Sequence, residues 1–242
     1  MADPASDDEA IHRVLAAAHA RVPRATYRLQ FHHGFTFRDA RALVPYLDAL
    51  GVSDVYASPF LKARPGSLHG YDIVDHNALN PEIGTREELA GLAADLRARG
   101  MGLVLDFVPN HMGIGSENPW WTDVLENGPS SLYSGFFDIA WQPLQSKLEA
   151  KVLLPVLGDA YGKVLDEAQL VLELEGGTFV VRYFEKVLPV NPRSYAMLLE
   201  PVATALAAEL GEEDEAVLEL LSIVTGFTNL PPRTETRRAR GA

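Results

Sequence analysis

Two short segments of the chain combine side chains that could bind a sugar. Residues 68–76 read LHGYDIVDH, and residues 106–111 read DFVPNH. Asp106 directly follows an apolar run, and Asn110 and His111 add an amide and an imidazole beside it. A carboxylate, an amide and an imidazole near an aromatic ring suit a sugar, because its hydroxyls need polar partners and its ring needs a flat face.

The first segment could instead bind a metal ion. It holds nitrogen and oxygen ligands of the kinds that transition metals accept, namely His69, Asp72, Asp75 and His76. Their spacing matches no standard zinc motif. We therefore predict that the chain holds no metal and needs no cofactor.

Structural roles compete with the sugar-binding interpretation for each residue taken alone. An aspartate at the end of a strand, such as Asp106, is often a helix cap or a turn former. His111 could be a hydrogen-bonded structural histidine, and Tyr71 could be a core aromatic residue. The pair Trp120–Trp121 is more typical of a core or an interface than of a substrate platform.

From residue 25 the chain alternates between strand and helix patterns. Alternating polarity predicts a strand over residues 25–31, and apolar runs predict strands over 52–58 and 103–105. Two helices with capping-box spacing, starting at Thr36 and Thr85, separate them. This β-α-β-α-β order predicts an α/β fold with a parallel sheet or barrel, whose working residues lie at the carboxyl ends of the strands.

After His111 this alternation ends. Residues 113–150 are aromatic and rich in turns, and a hairpin is predicted around Gly176-Gly177. Helical patterns follow over residues 194–210 and 213–227. We predict four segments: an N-terminal amphipathic helix within 1–24, an α/β part over 25–112, an α+β subdomain over 113–230 and an unstructured tail over 231–242.

Composition excludes several classes of protein. The 242 residues carry 21 basic and 33 acidic side chains, a formal net charge of −12, which argues against nucleic acid and anionic membranes as partners. The absence of cysteine excludes disulfides and thiol nucleophiles. No apolar run approaches the ~18 residues of a membrane span, and the acidic N-terminus is unlike a signal peptide. We predict a cytoplasmic protein.

Taken together, the motifs resemble the α-amylase superfamily. DFVPNH is similar to that family's signature at the end of the third barrel strand, and HGYD to the loop whose tyrosine stacks on the sugar. Longer segments resemble the maltooligosyltrehalose synthase family (glycoside hydrolase family 13) from about residue 25 to residue 236. They are ATYRLQF, LVPYLDALGVSDVYASPFLKARPGSLHGYDIVDHNALNPEIG, ENPWWTDVLENGPSS, FFDIAW, PRSYAMLL and LPPRTET.

The resemblance implies a fold and an activity. The fold would be the first three β/α units of a (β/α)8 TIM barrel, followed by an inserted α+β subdomain, with the barrel incomplete in this chain. The activity would be that of an isomerase, a (1→4)-α-D-glucan 1-α-D-glucosylmutase. It converts the reducing-end α-1,4 bond of a maltooligosaccharide into an α,α-1,1 bond, using one carboxylate as nucleophile and another as acid. A trehalose-releasing glucan hydrolase would be its pathway partner.

The resemblance also implies roles for individual residues. Tyr71 would stack on the sugar ring before the scissile bond, and Asp72 and His111 would contact its hydroxyls. Asp106 and Asn110 would organise that corner of the site. The implied substrate-binding residues are Tyr71, Asp72, His111, Asp106, Asn110 and His69. The asparagine that matches Asn110 helps to hold Ca²⁺ in some relatives, but further ligands are lacking here and we predict no calcium.

The chain departs from the family pattern in one respect. The family's nucleophile lies in a Gly-x-Arg-x-Asp stretch on the fourth strand and its acid on the fifth, and nothing after His111 matches them. We therefore expect no catalytic carboxylate in this chain, which would be a truncated and inactive fragment. Two alternatives are another glucan hydrolase or transglycosylase of the superfamily, and a non-catalytic glucan-binding module.

Overall fold

A computed structural model describes residues 12–13 and 22–231. The chain divides into two compact units, Met1–Gly113 and Ile114–Ala242. The predicted N-terminal helix and the predicted tail lie outside the described residues, apart from residues 12–13, 22–24 and 231. The assignment of residues 25–112 and 113–230 to a barrel part and an insertion remains a prediction.

The first unit contains a three-stranded parallel sheet with helical crossovers, which confirms the predicted α/β class. The sheet consists of β1 (Thr26–Leu29), β2 (Asp54–Ala57) and β5 (Gly102–Leu105), with β2 in the middle. Helix α1 (Phe37–Ala49) connects β1 to β2, and α2 (Arg86–Ala98) precedes β5. A separate antiparallel pair, β3 (Leu61–Ala63) and β4 (Ile73–Leu79), lies between the predicted strand over 52–58 and the helix that starts at Thr85, where no strand was predicted.

Both helices start where their capping residues predict. The backbone amide of Thr36 donates to Asp39 Oδ2 at 2.8 Å, and that of Thr85 donates to Glu88 Oε2 at 2.8 Å. These bonds satisfy amides that a helix N-terminus would otherwise leave unpaired. The apolar side of each helix packs on the sheet in one core, whose largest fully buried side chains include Phe31, Phe37, Leu47, Leu92 and Leu96.

The two outer strands of this sheet pair on one side only. Within the part of the chain that the structure describes, β1 and β5 form its edges. Near the β5 edge several apolar side chains are exposed, among them Leu105 and Phe107. Exposed apolar side chains at this position are unusual, because parallel sheets are normally covered on both faces.

The second unit combines a short hairpin sheet with helices. The predicted hairpin is present as β6 (Val171–Glu175) and β7 (Thr178–Tyr183), and a third strand, β8 (Lys186–Pro189), extends it. The glycines of its turn have φ values of 57° and 85°, a conformation that glycine adopts without strain. The remaining helices are α3 (Pro119–Asn127), α4 (Tyr161–Asp166), α5 (Tyr195–Leu210) and α6 (Glu215–Thr228).

Helix α3 lies in the segment that the sequence indicated to be turns. The side chain of Asn118 accepts hydrogen bonds from the amides of Trp120 and Trp121, and Pro119 occupies the first helical turn. Asparagine at the N-cap and proline at the next position start a helix, although the same pair also occurs in turns. None of the helices within the described ranges combines the length and the apolar character that a membrane span requires.

Candidate functional site

The parallel register places Arg28, Tyr56 and Val104 on one face of the sheet. Arg28 lies opposite Tyr56, and Tyr56 lies opposite Val104. Asp106 follows two residues after Val104 on the same face, and its backbone amide continues the ladder by donating to the carbonyl of Ala57. Because side chains alternate along a strand, these residues lie on the same face of the sheet, near the carboxyl ends of its strands.

Arg28, Tyr71 and Asp106 form a closed triangle of hydrogen bonds. The Tyr71 hydroxyl donates to Asp106 Oδ2 at 2.6 Å. Arg28 donates from Nη1 to the same carboxylate oxygen at 3.0 Å, and from Nη2 to the Tyr71 hydroxyl at 3.0 Å. The guanidinium also lies 4.8 Å from the ring centroid of Tyr56, a cation–π contact.

This arrangement perturbs the protonation of its members. Hydrogen bonds from Tyr71, Arg28 and Tyr56 outweigh burial and hold the pKa of Asp106 below its ordinary value. The hydrogen bond to Asp106 raises the pKa of Tyr71, because losing the phenolic proton would place two negative charges together. Asp106 is therefore a charged hydrogen-bond acceptor at neutral pH, already engaged by protein donors.

The lowered pKa of Asp106 makes its contribution to stability depend on pH. A depressed carboxyl pKa stabilises the fold above the unfolded-state value of about 3.9, and this stabilisation is lost as the pH falls through the folded-state pKa. We expect Asp106→Asn to lower the free energy of unfolding by about 2 kcal/mol at pH 6, and by progressively less below about pH 4. Urea unfolding followed by circular dichroism measures this difference.

The control for this variant is Asp138→Asn, since Asp138 is exposed and lies in the other unit. Asp138→Asn should leave the urea midpoint unchanged at pH 6 and at pH 3. A destabilisation by Asp106→Asn that is equal at pH 6 and pH 3 would contradict the proposed charge state.

The side chain of Gln30, just after β1, holds the backbone of the loop that carries Tyr71. Gln30, two residues after Arg28 on the same face, donates from Nε2 to the carbonyls of Leu68 at 3.1 Å and His69 at 3.2 Å. Within the loop, the Tyr71 amide donates to His69 Nδ1 at 3.0 Å, and the two rings stack with centroids 6.0 Å apart.

Asp72 and His111 lie beside Tyr71. Ser67 donates from its hydroxyl to Asp72 Oδ1, and His69 Nδ1 lies 3.9 Å from the same oxygen. His111 Nε2 lies 2.9 Å from the carbonyl oxygen of Tyr71. A carbonyl can only accept, so Nε2 carries the proton, and a neutral His111 has Nδ1 left as an acceptor.

The structure thus brings together most, but not all, of the predicted site residues. Tyr71, Asp72, Asp106, His111 and His69 lie in one connected group, whereas Asn110 is exposed and takes no part in the hydrogen bonds that link them.

The four residues of the alternative metal site do not form one cluster, because only His69 and Asp72 lie side by side. His76 Nε2 bonds to the carbonyl of Val108 at 3.1 Å, and Asp75 Oδ1 accepts from the amide of Asn77 at 2.9 Å. Over residues 12–13 and 22–231, no three histidine, aspartate or glutamate side chains are grouped so that they could hold a metal ion.

Sequence reasoning missed Arg28, Gln30 and Tyr56. All three lie on predicted strands, and Arg28 and Gln30 belong to the polar half of the alternating pattern over residues 25–31. That pattern alone would have indicated a polar face, but not that this face meets a loop more than 35 residues away.

Comparison with known proteins identifies the family. Residues 42–165, about half of the chain, match the family model described as alpha amylase, catalytic domain. The chain belongs to the alpha-amylase family. It is 44% identical over 177 residues to a Mycobacterium tuberculosis protein assigned as a maltooligosyl trehalose synthase, covering 70% of this chain and 22% of that protein. It is also 42% identical over 94 residues to the intracellular maltogenic amylase of Bacillus subtilis, covering 39% of this chain and 15% of that enzyme.

Solved structures show the same similarity. The maltooligosyltrehalose synthase from Arthrobacter ramosus superposes with a TM-score of 0.61 at 41% identity, over 70% of this chain and 21% of that one. A hypothetical maltooligosyl trehalose synthase from Sulfolobus tokodaii gives a TM-score of 0.61 at 34% identity, over 76% and 24%. The chain therefore spans roughly a fifth to a quarter of the length of these synthases.

Proposed function

We propose that the Arg28–Tyr71–Asp106 group belongs to the glucosyl-binding site of an intramolecular transglucosylase. The reaction would convert the reducing-end α-1,4 bond of a maltooligosaccharide into an α,α-1,1 bond. The observation that carries this proposal is the charged, aromatic group at the carboxyl edge of a parallel sheet. It gains support from the similarity to maltooligosyltrehalose synthases, and from the alpha-amylase match over residues 42–165, which include Tyr71 and Asp106.

The geometry suggests a division of labour within the site. The ring of Tyr71 would stack on the glucosyl ring, with His69 supporting it from one side. Asp72 and the Nδ1 atom of His111 would accept hydrogen bonds from sugar hydroxyls. Asp106 would organise the site instead of contacting sugar, because protein donors already engage its carboxylate. Asn110 would join it only if its loop moves toward the group.

The catalytic carboxylates would come from outside these 242 residues. We propose that residues 25–112 are three β/α units of a (β/α)8 barrel and that residues 113–230 are an insertion. Retaining chemistry needs a nucleophile and an acid ~5–5.5 Å apart, and no Gly-x-Arg-x-Asp stretch follows His111. The 242 residues alone would therefore bind glucan weakly and would not transform it. In the whole reaction, a trehalose-releasing glucan hydrolase would consume the product.

One experiment tests this proposal with two measurements on the purified chain. NMR titration with maltotriose is expected to give a dissociation constant on the order of millimolar, and Tyr71→Ala should weaken it about tenfold by removing the stacking face. In parallel, reducing ends are counted after incubation with maltopentaose, and we expect no change.

The matched control is Tyr46→Ala, because Tyr46 is 60% exposed on α1, outside the site. It should bind maltotriose like the unaltered chain. Equal binding by the Tyr71→Ala variant would contradict the proposed site. A fall in reducing ends would show that the chain is itself a synthase, whereas a rise would favour a hydrolase.

A further inference from the structure

We propose that Arg28 is the positioning residue of this site: it fixes the plane of the Tyr71 ring by tying its hydroxyl to the carboxylate of Asp106. The inference rests on the proposed function, because it assigns Arg28 a role in presenting a sugar-stacking face. Arg28 lies in the family-like segment ATYRLQF, but that resemblance gave it no role, and the role follows from the contacts of its guanidinium.

The triangle of hydrogen bonds restricts the ring at its outer end. A phenolic O–H prefers to lie in the plane of its ring, and the oxygen accepts near that plane as well. The Tyr71 hydroxyl donates to Asp106 at 2.6 Å and accepts from Arg28 at 3.0 Å. Both bonds are best satisfied at one ring orientation, so together they oppose rotation of the ring about its long axis.

The shape of arginine suits this task. Two nitrogens of one planar guanidinium reach two different partners, Nη1 to Asp106 and Nη2 to Tyr71. The stacking contact with Tyr56, at 4.8 Å, holds the guanidinium itself in place. A lysine offers one ammonium at the end of a flexible chain, so it could keep the charge but not the planar, two-point contact.

The position of Arg28 also differs from that of an ordinary surface ion pair. Arg28 is 36% exposed, but its partner Asp106 is only 14% exposed, and the pair joins the end of β1 to the segment after β5. Arg41 provides the contrast: it pairs with Asp95 at 2.6 Å between α1 and α2, and both side chains are at least one-third exposed. Exposed pairs of that kind contribute little.

The test compares Arg28→Met with Arg28→Lys, and uses Arg41→Met as the matched control. Chains labelled with ¹³C at the tyrosine Cζ report the ionisation of each tyrosine by NMR, and Tyr71→Phe assigns the Tyr71 signal. Because Arg28 lowers the pKa of Tyr71 while Asp106 raises it, Arg28→Met should move that pKa further upward. The same samples are titrated with maltotriose.

We expect Arg28→Met to weaken maltotriose binding about fivefold, with Arg28→Lys in between, and Arg41→Met to leave both readouts unchanged. Because Arg28 acts through the Tyr71 hydroxyl, the double variant Arg28→Met/Tyr71→Phe should bind no more weakly than Tyr71→Phe alone. Additive losses in the double variant would overturn the proposal. An unchanged Tyr71 pKa in both Arg28 variants would do the same.

The two proposals fail in different ways. If the unaltered chain does not bind maltotriose, the proposed function is wrong. The rate of Tyr71 ring rotation, from NMR line shapes, then still decides the positioning role: faster rotation in Arg28→Met, but not in Arg41→Met, supports it. An equal rate of Tyr71 ring rotation in the unaltered chain, Arg28→Met and Arg41→Met refutes the positioning role.

Discussion

Gly70→Ala is expected to abolish measurable maltotriose binding, a loss of at least about 100-fold. Gly70 is buried and has a φ of +74°, a region that L-residues enter at a cost of about 1–2 kcal/mol. A Cβ at this position would lie 2.3 Å from the backbone carbonyl oxygen of Pro59, which no side-chain rotation can relieve. The loop must therefore shift, and Tyr71, the next residue, shifts with it.

Gly66→Ala separates the steric clash from the backbone strain. Gly66 lies in the same loop with a φ of +75°, but a Cβ there meets nothing within 4 Å. This variant should lose some stability and keep its affinity for maltotriose to within about twofold. NMR titration measures the affinity for maltotriose, and urea unfolding measures the stability. Equal affinities for the two variants would show that the loop geometry at Gly70 does not govern binding.

Leu47→Ala is expected to lower the free energy of unfolding by about 3 kcal/mol. Leu47 lies on the inner face of α1 and is 1% exposed, within the core between the helices and the parallel sheet. Removing its side chain forfeits the transfer free energy of the buried methyl groups and leaves a cavity that the close-packed neighbours fill only partly. Urea unfolding followed by circular dichroism measures the free energy of unfolding. Hydrogen exchange of the α1 amides shows whether the loss of stability affects that helix.

The control is the same substitution one turn earlier. Leu43 also lies on α1 but is 36% exposed, so Leu43→Ala should cost less than about 1 kcal/mol. Alanine is a good helix former, and neither variant disturbs the helix backbone. A similar loss in both variants would mean that the core of the first unit does not lie on the inner face of α1.

Local signals account for the parts of the fold that could be predicted. The capping boxes at Thr36 and Thr85 and the paired glycines at 176–177 each act within a few residues, and the structure confirms them. The β3–β4 pair escaped prediction because β3 has only three residues, β4 carries a polar run at 75–77, and the register between the two strands shifts twice. No simple alternation of polar and apolar residues marks such strands.

The candidate site also contains some residues that local sequence signals indicated and some that they did not. Tyr71, Asp106 and His111 stood out because their types and neighbours are unusual, and the structure places them together. The position of Arg28 depends instead on the parallel register of three strands, which no local pattern encodes. Asn110 lies apart from the group because of the path of an exposed loop, and local sequence propensity does not predict that path either.

The separation along the chain between Arg28 and Asp106 determines when in folding this site can form. The two residues lie 78 positions apart, and Tyr71 lies 43 positions from Arg28. Contacts across such distances form only after the intervening chain has lost much of its conformational entropy, and they slow folding relative to local contacts. We therefore expect the triangle to close late, after both crossover helices have docked on the sheet. Affinity for sugar would then report completed folding of the whole first unit, and a peptide carrying HGYD or DFVPNH alone should show none.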